Sequence, residues 1–360
     1  MSEAGGGSGT GAAAASFTGL VDLASASLGG RAIGTSDDFF AGMQNLLLPG
    51  RGVFIADKFT DRGKWMDGWE SRRKREVGHD WCVVELGASG RVLGLDIDTH
   101  HFAGNCPAYA SVDGLRAPRG TPVAELLGMT WVELLAQSAL RPTSQNLFAA
   151  IAGEPVSHVR LNIFPDGGVA RFRVFGRVQA DWDRLPRGDE RDDETRAQVP
   201  AHLADLAAVK NGGLALACSD AFFGPMNNLL LPGRAENMGG GWETRRRRGP
   251  GHDWIVLQLG ARGTVEAVEV DTNHFNGNFP DRCSLEWVDA PGARITDLVP
   301  GLTGATHVRW MPLLPETELR ASARHFFRDA LTRPSPASHV RVNIFPDGGL
   351  SRVRLWGTRA

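Results

Sequence analysis

The sequence predicts an all-β protein made of two tandem, duplicated antiparallel β-sandwich domains. Three observations lead there. Long blocks recur once, in the same order, about half a chain apart. Short β-branched runs alternate apolar and polar residues with a period of two. Turn-forming Gly, Pro, Asp and Asn residues separate those runs, and helical periodicity is scarce.

The repeat is read directly from the chain. WESRRKREVGHDW (69–81) returns as WETRRRRGPGHDW (242–254), and DTHHFAGNCP (98–107) as DTNHFNGNFP (271–280), both displaced by 173 residues. HVRLNIFPDGG (158–168) returns 181 residues on, and DDFFAGMQNLLLPGR (37–51) returns 183 residues on as DAFFGPMNNLLLPGR. A single long-range copy of four blocks is a duplicated domain, not a short-period solenoid. At 360 residues, length alone allows two domains of about 150–170 residues, each able to bury a core.

In chain order, MSEAGGGSGTGAAAAS (1–16) is expected to be a disordered tail, lacking the basic start and apolar stretch of a signal peptide. Residues 17–178 form the first repeat. The two displacements, 183 before and 173 after, place ten extra residues within 52–68 of the first copy alone. An insertion in one copy is a candidate for functional inequality between the copies, and it brings Lys58, Lys64 and Asp67. DWCVVELG and RVLGLDID read as strands. In the second of these, Leu93, Leu95 and Ile97 form one face and Asp96 and Asp98 the other. Glu269 and Asp271 take the same positions in the second copy. WVELLAQSAL (131–140) and the stretch around 324–331 are the best short helical candidates. HVRLNIF, PDGG and VARFRVFG read as strand, tight turn, strand. The inward set is Val159, Leu161, Ile163, Phe172 and Val174. Residues 179–200, DWDRLPRGDERDDETRAQ at their heart, have the composition of a charged linker, solvated or wrapped over a surface. The second repeat follows over 201–360.

Composition excludes several classes. Lys and Arg total 39 against 41 Asp and Glu, so no global field favours nucleic acid or a membrane surface. The runs RRKR and RRRR lack interleaved aromatics, which argues against a nucleic-acid partner. No apolar run approaches the ~20 residues of a membrane span. Of the four cysteines, none lies in a CxxC pair. The second copy has Ile255 and Phe279 where the first has Cys82 and Cys106, which points to packing and a reducing compartment. GxSxG, P-loop, GxGxxG and HExxH motifs are missing. His100 and His101 are adjacent and face opposite ways, so no metal site is assigned.

Two blocks concentrate chemistry. Glu70, Arg72, Arg73, His79 and Asp80 recur as Glu243, Arg245, Arg246, His252 and Asp253. They read either as an anion clamp, Arg presenting a planar fork to a carboxylate, or as a structural Glu–Arg network under Trp69 and Trp242. Asp98, His101 and Asn105 sit at a strand end and its loop, with Gly104 permitting a left-handed turn. They read as an acid/base or binding loop, or as a hydrogen-bonded turn.

These blocks carry a family resemblance. DGWESRRKREVGHDWCVVELG, DIDTHHFAGNCP and HVRLNIFPDGGVARFRVFG resemble allantoicase (allantoate amidinohydrolase), and FTDRGKWMDGWE matches that family's first repeat. The resemblance runs from about Phe17 to Ala360. It implies two jelly-roll modules similar to galactose-binding domains. It also implies hydrolysis of allantoate to ureidoglycolate and urea in purine degradation, and a homo-oligomeric assembly. A cytoplasmic enzyme acting on a small molecule, with no cofactor, nucleic acid or membrane partner, is the expectation; dependence on a divalent metal is left open. The alternative is a non-catalytic double sandwich binding a small ligand or carbohydrate.

For that reaction Asp98, His101 and Glu70 are the candidate catalytic groups. Arg72, Arg73, Asn105, Lys64 and Asp67 are the candidate substrate-binding groups. A carboxylate or His moves a proton to the departing nitrogen, an Arg holds the substrate carboxylate, and an amide reads the ureido groups.

Overall fold

The structure is a computed structural model that describes residues 17–185, 191–299, 308–332 and 335–360. The tail expected over 1–16 lies outside the described residues. The chain divides into two compact units, 1–179 and 180–360.

The first unit contains β1 (Val21–Asp22), β2 (Arg31–Thr35), β3 (Phe59–Thr60), β4 (Gly63–Lys64), β5 (Trp69–Glu70), β6 (Asp80–Asp98), β7 (Tyr109–Leu115), β8 (Val132–Ala139), β9 (Gln145–Ala149), β10 (Val156–Phe164), β11 (Gly168–Val169) and β12 (Arg171–Val178). The two strands expected at DWCVVELG and RVLGLDID are one 19-residue strand, β6. Its first half pairs antiparallel with β2 and β10, and its second half with β9 and β12. One strand thus passes from one layer of the sandwich to the other. Gly90 permits the crossing, since a Cβ there would lie 2.4 Å from the Arg177 carbonyl oxygen.

Between the layers lies the apolar set that period-two alternation selects. Cys82, Val84, Leu95, Ile97, Val112, Val159, Leu161, Ile163, Phe172 and Val174 are all buried together. The opposite faces of β6 and β12 carry Asp96, Asp98, Arg171 and Arg173, yet Asp96 and Asp98 are only 4% and 2% exposed. The segment after the short helical turn Met43–Leu47 covers them, held by Arg173 Nη2 donating to the carbonyls of Leu48 and Gly50, both at 2.6 Å.

Two local expectations are corrected. Residues 131–140 and 324–331 are not helical: Val132–Ala139 is a strand on β7, and Arg324–Phe327 is a strand in the second unit. Sheet pairing overrides short-range helical pattern. The segments flanking PDGG do not form a tight hairpin. β10 and β12 both pair with β6, on different layers, and the turn's own Gly168–Val169 pairs with β5.

The second unit repeats the plan. It comprises β13 (Ala204–Asp205), β14 (Leu214–Cys218), β15 (Trp242–Glu243), β16 (Asp253–Asp271), β17 (Arg282–Val288), β18 (Met311–Glu318), β19 (Arg324–Phe327), β20 (Pro336–Phe345), β21 (Gly349–Leu350) and β22 (Arg352–Arg359). Sheet order matches strand for strand, β16 standing for β6. Among the described residues, only the first unit has the β3–β4 hairpin of the insertion. The described end of the charged segment packs onto the second unit. Asp192 caps the helix Asp193–Gln198 through Thr195 N at 2.8 Å. Its carboxylate also meets Arg234 and Arg324, each at 3.1 Å. Arg191 lies 4.6 Å over the Trp356 ring.

Candidate active site

β5 is the element that sets the first cluster. Trp69 is fully buried, and its ring N–H donates to the Asp37 carbonyl at 2.8 Å. Alternation then turns Glu70 to the other side of the strand. Register with β11 sets Glu70 opposite Gly168. Gly168 N–H donates to the Asn105 carbonyl at 2.8 Å, which brings the loop after β6 alongside. Only glycine fits at 168, because a Cβ would sit 2.0 Å from the Phe102 ring. Asn105 Nδ2 then donates to Glu70 Oε1 at 2.6 Å.

This pair forms one wall of a cleft of about 500 Å³, lined by Phe40, Ser71, Arg73, Lys74, Gly104, Cys106, Ala108, Pro165, Asp166 and Gly167 besides. Lys74 is anchored: its N–H donates to Asp166 Oδ2 at 2.8 Å and its ammonium pairs with the buried Asp80 at 2.8 Å. Arg73 is exposed and makes none of the hydrogen bonds or ion pairs found among the described residues. Burial raises the Glu70 carboxyl above its ordinary 4.5, and the Asn105 hydrogen bond opposes part of that rise. The cleft therefore brings together a half-buried carboxylate, an amide fixed beside it and an exposed guanidinium.

Asp98 lies in a second cluster. Asp98 Oδ1 accepts from His100 N–H at 2.8 Å and is 2.9 Å from His100 Nδ1. Its other oxygen is 3.5 Å from Arg51. Asp96 accepts from Gln145 Nε2 at 2.7 Å, while its second oxygen is buried without a partner. Burial, with the neighbouring Asp98 charge adding, pushes the Asp96 carboxyl up to about 6. His101, not Gly104, takes the left-handed conformation in this loop, with φ 69°. Its ring nitrogen lies 3.2 Å from the Gly52 carbonyl, and His274 repeats this with the Ala235 carbonyl at 2.8 Å. Both histidines pin the loop that follows LLLPGR.

The remaining candidates hold local structure. Arg72 clamps Asp37 through Nε at 2.7 Å, and Arg245 does the same to Asp220 at 2.9 Å. Arg72 borders a neighbouring depression of about 380 Å³ beside Arg75 and Glu76, which shares Arg73 and Lys74 with the Glu70 cleft. Asp67 accepts from Arg171 Nη2 at 2.7 Å and Val53 N–H at 2.8 Å. Lys64 lies 4.6 Å over the Phe54 ring, within the insertion. Of the sequence-derived candidates, then, Glu70, Arg73 and Asn105 line one cleft; Asp98 is tied to His100 and Arg51 elsewhere, and His101 to the Gly52 carbonyl, with no hydrogen bond joining Asp98 to His101 or either to the cleft pair among the described residues. Sequence reasoning passed over Arg51, Asp96, His100, Gln145, Lys74 and Asp166. Arg51 and Asp166 carried a usable signal, since Arg234 and Asp347 keep them in the second copy.

The second copy differs at the second cluster. Arg324 stands where the first copy has Gln145, and together with Arg234 it pairs with Glu269, at 2.9 and 2.6 Å. Asp192 then lies on both guanidiniums.

Comparison with known proteins bears on this arrangement. The model of the allantoicase repeat matches residues 21–179 and again 204–360. A probable allantoicase of Pseudomonas paraeruginosa is 47% identical over 343 residues, covering 95% of this chain and 97% of its own. One from Burkholderia mallei is 44% identical over 338 residues, 94% of each chain. The crystal structure of allantoicase from Saccharomyces cerevisiae is 33% identical, covers 97% of this chain and 98% of its own, and superposes with a TM-score of 0.76. With the family's repeat matched in both halves and relatives aligned along nearly the whole length, this chain belongs to the allantoicase family.

Proposed function

We propose that the protein hydrolyses allantoate to ureidoglycolate and urea, and that the first-repeat cleft of Glu70, Asn105 and Arg73 is where it does so. Family membership along the whole chain supports the reaction. The observation that carries the site is the 2.6 Å Glu70–Asn105 pair lining one open cleft together with Arg73, whose guanidinium has no partner among the described residues.

The chemistry follows from those groups. Arg73 receives the substrate carboxylate, a planar fork on a planar anion. Asn105 reads a ureido group with its amide while steadying Glu70. Water adds to the central carbon as its C–N bond breaks. Glu70 takes the proton from that water and delivers it to the departing nitrogen, so that urea leaves and the carbinol remains. No cofactor enters the scheme. Purified protein incubated with allantoate, with and without Mn²⁺, is expected to release urea in both cases; absence of urea in both overturns the reaction.

A second reading of the site rests on the orphaned oxygen of Asp96, whose carboxyl is raised to about 6 beside Asp98, His100 and Arg51. On that reading the proton is moved by Asp96, and Asp96→Asn, not Glu70→Gln, removes turnover.

The assembly is proposed to be a homo-oligomer acting in the cytoplasm. Val53, Phe54, Ile55 and Phe59 of the insertion are 43–66% exposed, which supports burial against another copy. The four unpaired cysteines support a reducing compartment. Light scattering of the purified protein tests the first point: a monomer at micromolar concentration refutes it.

A further inference from the structure

We propose that the second repeat carries its own ureido-acid binding site, built on Glu243, Asn278 and Arg246, and that it is weaker than the first. The proposal rests on the reading of the first-repeat cleft given above. The second copy rebuilds that cleft from the same local geometry. β15 pairs with β21, setting Glu243 opposite Gly349. Gly349 N–H donates to the Asn278 carbonyl at 2.8 Å, as Gly168 does to Asn105. Asn278 Nδ2 donates to Glu243 Oε1 at 2.6 Å, the distance found in the first copy. Arg246 lines the cleft, is exposed, and has no hydrogen bond or ion pair among the described residues.

A purely structural Glu–Asn tie accounts for the pair but not for the open cleft beside it or the free guanidinium in it. Both recur in a copy whose other cluster has been rebuilt, Arg324 replacing Gln145 and Asp192 covering it. Recognition elements for a ureido group and a carboxylate have therefore been kept together.

Two substitutions make the sites unequal. Phe279 replaces Cys106, and the cleft narrows from about 500 to about 320 Å³. Asp281 replaces Ala108 and adds a carboxylate to the wall. Its Oδ2 is 2.8 Å from Arg282 Nε, an exposed pair that screens the charge only in part. A ligand bearing its own carboxylate meets more repulsion here than in the first cleft, while the space still admits one ureido arm.

Titration calorimetry of the full-length protein with N-carbamoylglycine tests this, because that ureido acid has no second ureido group to lose. The expected result is two equivalents bound per chain with unequal affinities. Glu243→Gln weakens the weaker event by about tenfold. Glu70→Gln does the same to the tighter event. Asp281→Ala, which restores the residue type of the first copy, tightens the weaker event by about 2- to 10-fold and leaves the tighter one alone. A wild-type chain that binds no more than one equivalent overturns the proposal, as does a Glu243→Gln chain that binds like wild type. If Glu70→Gln weakens one event and Glu243→Gln none, the second site falls and the first stands. If neither substitution alters binding, both fall. Should Glu243→Gln fail to fold, Asp281→Ala decides alone: unchanged affinities refute the second site.

Discussion

Replacing Glu70 with Gln separates chemistry from architecture at the proposed site. The substitution keeps the shape of the side chain and an oxygen for Asn105 Nδ2, which donates to Glu70 Oε1 at 2.6 Å. It removes the ability to take a proton from water. A general acid–base group contributes about 10²–10⁴-fold, so kcat should fall by that factor, about 3–5 kcal/mol of transition-state stabilisation. Stability should move the other way or not at all. Burial raises the Glu70 carboxyl above 4.5 in the folded protein, so the ionised group is less at ease folded than unfolded. The wild type therefore loses stability as pH rises from the ordinary value through the raised one, and the Gln variant is spared that loss. At pH 7 its Tm should equal or slightly exceed that of the wild type. The wild-type kcat/KM should also show an acidic limb above 4.5, since Glu70 must be ionised to act as a base. Steady-state urea release and thermal melts, both across pH 4–8 in steps of about half a unit, supply the comparison. A variant with kcat within about threefold of wild type, or one whose loss of activity tracks a fall in Tm, would show that Glu70 does not move the proton.

Arg73→Gln should raise KM for allantoate by about 10- to 100-fold with a smaller effect on kcat, because its guanidinium has no hydrogen-bond or ion-pair partner among the described residues. Arg72→Gln should leave KM unchanged in the same assay. It should instead lower Tm at pH 7 by the equivalent of less than about 1 kcal/mol, its exposed clamp being screened by solvent. Burial works against the charge on Asp37, but Arg72 and two backbone N–H groups outweigh it and hold its carboxyl below 3.8. That stability is present above 3.8 and lost as pH falls, so melts of the two proteins should converge in acid. Shortening residues 52–67 to the length of the second copy removes Arg62, which donates to the Phe39 carbonyl at 3.0 Å beside the cleft residue Phe40. Turnover should drop about tenfold or more if that support positions the cleft, and unchanged kinetics would show the hairpin to be dispensable for catalysis.

How much of this was legible beforehand depends on whether the controlling contact is local. Period-two alternation picked out Val159, Leu161, Ile163, Phe172 and Val174, all fully buried, because pleat direction follows from sequence alone. The same rule put Asp96 and Asp98 opposite the core but could not show them covered, since the cover comes from a loop almost fifty residues earlier in the chain. The strand at 132–139 was missed because Leu134 and Leu135 suit a helix equally well until β7 supplies the partner edge. At the site, retention in both copies marked Glu70, Arg73 and Asn105. It marked Arg72 and His101 as strongly, although both copies use those two to hold Asp37 or Asp220 and the loop after LLLPGR. Duplication preserves loop anchors and cleft-lining residues alike, so retention in both copies does not separate them.

A crystal structure of the wild-type protein soaked with N-carbamoylglycine, which has no second ureido group to lose, shows where a ureido acid binds. Its carboxylate is expected on the Arg73 guanidinium, with its ureido group within hydrogen-bonding distance of Glu70 and Asn105. A ligand found against Arg51, Asp98 and His100, with the cleft beside Asn105 empty, would mean that the first-repeat cleft is not the site of hydrolysis.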